Sequence, residues 1–563
     1  MSAAGAFLRA APALTIAAML GPVLAGMAGV AAPAFGWFPA LGGDEFGLAQ
    51  FRALSRLPNF TQAAWLSFST GMAATLISLA IVALIMAGWQ GTCAFRVIER
   101  ALSPLLAAPH AAAAFGLAFL IAPSGWVARA FSPWATGWEQ APDLLIVNDP
   151  NGLALIAGLV AKEAPFLFLM ALAALDQVQA EQSRMVAATL GHGRVSGWIK
   201  TVFPRVYPQI RLPVYAVLAF SMSAVDVALI LGPTTPAPLS VLVLQWMNDP
   251  DVALRFRGAA AAMAQLGLVV AALGLWRVGE LLIAVLGRRW VAGGGRGMCE
   301  PALRGLGLFV AVASAAAVGA GLLGLGLWSF AGYWSFPDFT PDALSLRTWA
   351  RSLPTLAAPA AATALIGLAA MAAAMVLTLA CLETETRRGR RPSRAVWLLY
   401  LPLIAPQIAF LPGLQMLALA AGLNGGTGAV MLGHLVFVLP YVFLSLADPW
   451  RALDPRFALG AGALGAGPGR VFLLVRLPLL LPPILAAAAV GFAVSVGQYL
   501  PTLLLGGGRV GTLTTEAVAL AAGGDRRLIG VYALALTAAA FAPFAIALTA
   551  PRALWRNRRG MRT

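Results

Sequence analysis

Runs of about twenty apolar residues, separated by short polar or basic segments, recur from one end of this 563-residue chain to the other. An α-helix rising about 1.5 Å per residue needs a run of that length to cross the roughly 30 Å hydrocarbon core of a bilayer. Hydrophobic residues make up 60% of the chain and charged residues 11%, where a soluble domain carries about a quarter charged residues. No stretch remains that could form a large soluble domain. Lipid offers a backbone no hydrogen-bond partner, so apolar runs this long must cross as helices. The chain therefore reads as an all-α polytopic membrane protein. Twelve spans are expected, with approximate cores at 11–34, 62–88, 103–122, 151–174, 212–232, 258–285, 304–329, 355–380, 396–420, 428–447, 479–504 and 528–550.

The 38 basic and 22 acidic residues would suggest nucleic acid in a soluble protein. In a membrane protein their sidedness comes first. With the N-terminus inside, inward segments hold 26 basic and 9 acidic residues, and outward loops hold 10 and 11. That asymmetry places both termini in the cytoplasm and leaves no need for a nucleic-acid partner. The apolar run after Arg9, ending in "AGVAAPAFG", has small residues that suit a signal peptidase, but a retained first span keeps the count at twelve. Cys93, Cys299 and Cys381 fall in or beside inward segments, in no metal-binding spacing, and read as reduced filler.

The oil is interrupted most abruptly at "TLGHGRVSGWIKTVFP", residues 189–204. Lys200 and Thr201 follow several glycines, as in a phosphate loop. Ile199, however, stands where the glycine before the lysine is needed, so no nucleotide cradle forms. The segment has a twin. Leu190-Gly191 precedes Pro204, Leu464-Gly465 in "ALGAGPGRVFLLVRLP" precedes Pro478, and both gaps from glycine to proline are thirteen residues. Alanines stand upstream of each, Ala187 and Ala188 in one, Ala461 and Ala463 in the other. Pro165-Phe166 and Pro440-Tyr441 keep step 26 and 25 residues before the glycines, and Phe220 to Asp226 matches Phe492 to Gln498. A glycine-rich basic stretch divides the spans six and six. The chain thus reads as parallel repeats, 1–287 and 304–563, joined by a flexible inward linker at 288–303. In each twin an alanine-rich helix should end at a left-handed glycine, and the proline should open the next helix.

These paired segments resemble the EAA loops of permease subunits from bacterial ATP-binding-cassette (ABC) importers, and the layout is similar to the fused permeases of thiamine and ferric-iron importers. The resemblance covers essentially the whole chain. It implies a type I importer fold of the inner membrane with two coupling loops, carried here by Ala187, Ala188, Leu190, Gly191, His192, Gly193, Arg194 and Pro204, and by Ala461, Ala463, Leu464, Gly465, Gly467, Arg470 and Pro478. Each loop would dock on a subunit of a separate ABC ATPase homodimer holding ATP and magnesium, so this chain would carry no cofactor, metal or catalytic residue. A binding protein would dock outside, near "TTPAPLSVLVLQWMNDPD" and "GGGRVGTLTTEAVALAAGGDRR". The sequence departs from the pattern at the loop glutamate, replaced by Met185 and Leu459. The second loop has the lead Leu453-Asp454-Pro455-Arg456, whereas in the first, Asp176 stands four residues further from its glycine.

Inside the spans, Lys162 and Glu163 each need a separate partner, since neighbours on a helix point about 100° apart; Asp226 is a candidate for Lys162. By the resemblance, Asp226 and Gln498 lie along the translocation pathway with them. His110 and His434 read as packing residues, and Arg277 and Glu280 as snorkelling ones. The rival reading is a twelve-span ion-coupled secondary transporter, which would not require matched inward loops and usually has more intramembrane carboxylates. A membrane enzyme would need an acidic or histidine cluster at a membrane face, and none is evident.

Overall fold

A computed structural model describes residues 3–105, 107–175, 177–297, 299–389, 396–423 and 425–555. Asp176 lies outside them. Helix α1 (Ala3–Ala34) is followed by α2 (Phe60–Trp89), α3 (His110–Ile121) and α4 (Leu153–Leu175). The short helices α5 (Ala180–Thr189) and α6 (Arg194–Thr201) lead into α7 (Phe203–Ser223), α8 (Asp226–Leu231), α9 (Leu239–Met247) and the long α10 (Leu254–Ala292). Then come α11 (Glu300–Phe330), α12 (Arg347–Arg388), α13 (Val396–Ile404), α14 (Gln407–Ala420) and α15 (Thr427–Ala452). The chain closes with α16 (Pro455–Ala463), α17 (Pro468–Leu479), α18 (Leu481–Val496), α19 (Leu500–Gly506), α20 (Leu513–Leu520) and α21 (Arg526–Leu554). Sheet among the described residues is a hairpin of two-residue strands, Trp37–Phe38 and Gly43–Asp44.

Every expected span meets a helix, but not always an unbroken one. Nine described helices are long and apolar enough to cross a membrane, and two further pairs qualify as bent spans: α13 with α14, at 84°, and α17 with α18, at 76°. Pro406 lies at the first bend, where it removes an amide from the helical ladder. The expected fifth span, 212–232, is α7, which begins nine residues earlier and stops at Ser223 before the separate α8. Arg205 and Arg211 near its start disguise it as a polar segment.

The two ends of the sequence interlock. Helix α1 lies along α14, α12 and α15, while α11 lies along α2 and α3, so the first helix of each expected half packs on the other half. Glycines permit this closeness. A Cβ on Gly413 would stand 2.0 Å from the Gly26 carbonyl oxygen, and one on Gly116 would stand 2.8 Å from the Gly321 carbonyl carbon. Small residues allow helix backbones in lipid to approach until dispersion and weak polar contacts hold them. The most apolar part of α4 is 67% buried and that of α15 61%, against 17% for α10, so α4 and α15 are central and α10 is peripheral.

Two readings are corrected here. The linker is not a loose tether: α10 runs to Ala292 and α11 begins at Glu300, and the residues between them bond to α6. Glu280 does not snorkel. Its side chain is buried and receives Arg211 at 3.1 Å, Arg277 at 2.6 Å and the Tyr207 hydroxyl at 2.6 Å, tying α10 to α7. Glu280→Ala should destabilise the α7–α10 contact by about 1–2 kcal/mol, because the Tyr207 hydroxyl, which still accepts from Trp276, loses the acceptor for its proton. Thermal unfolding in detergent checks this, and Glu280→Gln, which keeps an acceptor, should recover part of the loss.

Candidate functional site

The paired segments around Gly191 and Gly465 fold alike. Helix α5 ends at Leu190, Gly191 takes φ +79°, and the amides of Gly191 and His192 donate to the carbonyls of Ala188 (3.0 Å) and Ala187 (3.1 Å). Helix α16 ends at Leu464, Gly465 takes φ +83°, and the amides of Gly465 and Ala466 donate to Gly462 (2.9 Å) and Ala461 (3.0 Å). Both turns satisfy orphan helix carbonyls through a left-handed glycine, which carries no Cβ to clash there. Gly193 and Gly467 then cap α6 and α17. Ala187 is buried beneath the first turn, while Ala188 and Ala463 are exposed. Arg194 donates to the Gln90 carbonyl, and Arg470 is exposed. On α5, the hydrogen bond from Arg184 holds the Glu181 carboxyl below its ordinary range. The prolines differ: Pro204 stands in the first turn of α7, whereas Pro478 lies just before the bend into α18, because a π-helical segment at Phe472–Arg476 carries the helix past the position where it was expected to restart.

Both turns present bare apolar side chains. Leu190 is 62% exposed and Leu464 90%, and Met185 and Leu459, in place of the loop glutamates, are also open. The turns stand at the same end of the molecule. Trp198 of α6 bonds Gln90 at the end of α2 (2.8 Å), beside the start of α11, whose Arg304 carbonyl accepts from Trp89 (3.0 Å). At the far end of α11, Ser329 meets Trp349 of α12 (3.3 Å), and α12 returns to Glu383, which binds Arg476 of the second segment (2.5 Å).

Between the two sets of helices lies a cavity of about 280 Å³. Lys162 and Glu163 from α4, Asp226 from the start of α8, and Gln498 all line it, together with Tyr441 and Tyr499. Lys162 and Asp226 are not an ion pair. The Lys162 ammonium donates to the Ala108 carbonyl at 2.5 Å, and Glu163 faces His110 at 3.5 Å. The Ala108 carbonyl, in the irregular segment just before α3, lies within hydrogen-bond reach of the long lysine side chain.

His110 thus belongs to the cavity rather than to packing, with its ring 4.9 Å from that of Phe220. A sequence signal existed: Ala108-Pro109-His110 and Ala405-Pro406-Gln407 each precede a glycine that stands seven residues after the proline, and Gln407 lines the same cavity. His434 is a packing residue, buried between Ser495 Oγ (2.7 Å) and Thr502 Oγ1 (2.8 Å). Among the described residues, no cluster of histidine, cysteine, aspartate or glutamate is placed to hold a metal ion. The segments read as binding-protein contacts fold into α9 and α20. Their leading amides mirror one another, Leu239 donating to Ser67 Oγ and Leu513 to Thr363 Oγ1, both at 2.9 Å.

With Cys93, Cys299 and Cys381 replaced by serine, Asp226→Cys and Gln498→Cys should react with a small water-soluble thiol reagent at least about tenfold faster than Leu218→Cys, whose position is fully buried. Equal rates at all three positions would show that the cavity is dry.

An all-helical membrane protein with interlocked ends and, between them, a cavity lined by Lys162, Glu163 and Asp226 among apolar residues has the build of a solute permease. Over 493 residues, 86% of this chain and 87% of the relative, it is 32% identical to the inner membrane ABC transporter permease protein YnjC of Escherichia coli K12. The chain belongs to the ABC transporter permeases. Over 197 residues it is 33% identical to the molybdenum transport system permease protein ModB of Mycobacterium bovis, covering 31% of this chain and 73% of that one. It is 25% identical over 139 residues to the spermidine/putrescine transport system permease protein PotC of Haemophilus influenzae, covering 25% and 54%. No family model matches the chain, and no solved structure does.

Proposed function

We propose that this chain forms the whole membrane pathway of an importer as two fused repeats, 1–287 and 304–563, with both termini cytoplasmic. A binding protein delivers a small solute to the outer face near α9 and α20. The solute passes through the cavity bearing Lys162, Glu163, Asp226 and Gln498. The turns at Gly191 and Gly465 seat on a separate ATPase homodimer, which holds ATP and magnesium. Closure of that dimer favours one state of the permease through the contacts it makes at the turns, because coupling requires differential binding to the two states.

The observation that carries this reading is the twin turn: the same left-handed glycine, the same pair of amide bonds and the same outward leucine, twice at one end of the molecule. A two-fold partner needs two such contacts, and an ion-coupled transporter has no use for them. The excess of basic residues at that end supports a cytoplasmic orientation. Affinity purification of the full chain from membranes in mild detergent should recover an ATPase in a ratio of two per permease, and transport in vesicles should require ATP inside the compartment that the turns face. A purified chain that transports at full rate on an ion gradient without ATP would overturn the reading.

A further inference from the structure

The twin turns are anchored differently. At the head of α6, the amides of Val195 and Ser196 have no partner within their own helix, and both donate to the carboxylate of Glu300, to Oε2 at 2.7 Å and Oε1 at 2.9 Å. Glu300 is the first residue of α11. The linker adds to the grip: the Arg296 carbonyl accepts from the Gly193 amide (3.2 Å) and Ser196 Oγ (2.9 Å), and the Gly295 carbonyl accepts from Lys200 (2.5 Å). The approach is tight enough that a Cβ on Gly193 would stand 2.4 Å from the Glu300 carboxyl. A carboxylate accepting two amides at a helix start is a charge-assisted contact, strengthened by the partial positive charge of the helix end.

Among the described residues, the second turn has no such clamp. A Cβ on Gly467, which caps α17, would meet nothing within 4 Å. The first turn of α1 takes the place that α11 has in the first case, since the Leu8 carbonyl meets Thr384 near the end of α12 much as Arg304 meets Trp89 at the end of α2. That turn reads Ala3-Ala4-Gly5-Ala6, without a carboxylate. The second segment is tied instead to α12, through Arg476 and Glu383.

From this difference, and resting on the reading of the turns as ATPase docking sites, we infer that Glu300 is a positioning residue. It joins the first turn rigidly to α11, so that a push on that turn is delivered directly to the first helix of the second repeat. The covalent linker is therefore a working part of the coupling, and the two ATPase subunits act on the permease through unequal levers.

The test uses the full chain with its co-purified ATPase in nanodiscs, native cysteines replaced by serine, and spin labels at Leu306→Cys on α11 and Val376→Cys on α12, both exposed positions. Pulsed electron resonance reads the α11–α12 distance before and after trapping with ATP and vanadate. Trapping should shift the distance in the parent. In Glu300→Ala the ATPase should remain bound and hydrolyse ATP while the shift falls to less than about half, and Glu300→Asp should restore it. Hydrogen exchange at Val195 and Ser196 should rise about tenfold in Glu300→Ala.

The inference is overturned if the parent shows no shift, if the shift in Glu300→Ala is unchanged, or if that variant, still monodisperse, loses the ATPase, since Glu300 would then act on docking. Failure of the docking reading looks different: the parent would bind no ATPase at all.

Discussion

Replacing Gly191 and Gly465 together by valine should strip the ATPase from the purified permease. At φ +79° and +83° a β-branched side chain is strained whatever space surrounds it. Each turn then either bears about 1–3 kcal/mol or abandons the geometry that presents Leu190 and Leu464. At about 1.4 kcal/mol per factor of ten, docking should weaken roughly tenfold or more at each turn, and the double variant should show no ATPase in a pull-down. The permease itself should stay monodisperse, because no described atom lies within 4 Å of a Cβ at the second turn, and at the first the nearest described atoms belong to the flexible Arg296 side chain, from 3.3 Å. Asparagine, which tolerates the left-handed region, serves as the control and should retain the ATPase. Wild-type levels of ATPase on an intact double-valine variant would show that the turns do not carry docking.

Gly413→Leu and Gly116→Leu should each abolish well-folded protein. Their added atoms would collide with the backbones of Gly26 and Gly321, which cannot rotate away as a side chain can. Relief requires α1 to leave α14, or α11 to leave α3, and these contacts interlock the ends of the chain. The cost should exceed the about 1–3 kcal/mol typical of an overpacked core. Size-exclusion profiles of a fluorescent fusion should show the monodisperse peak several-fold reduced. Gly319→Leu and Gly326→Leu, on α11 but with nothing within 4 Å, should give the parent profile. A normal peak for Gly413→Leu would mean that α1 and α14 do not meet in the membrane.

Asp226, Gln498, Lys162 and Glu163 could be singled out from the sequence because an ionisable or amide side chain in an apolar run is conspicuous, and the structure sets them around one cavity. What they touch was not legible. Lys162 turns to the Ala108 carbonyl and His110 faces Glu163 because α3 starts beside α4, a matter of which helices are neighbours. Glu280 looked like a residue reaching for water until α7 brought Arg211 and Tyr207 against it.

By itself the sequence determined the helical membrane class, the approximate spans and the two glycine turns. Apolar run length and the left-handed tolerance of glycine act within a few residues of chain, and need no tertiary contact. Only the tertiary structure decided that the first helix of each half crosses to the other, that the cavity charges pair as they do, and that the glycine-rich linker is gripped through Glu300. Those outcomes depend on backbones and charges from distant segments meeting at a few ångströms, and in a chain whose spans are nearly all equally apolar, hydropathy does not encode which helix lies beside which.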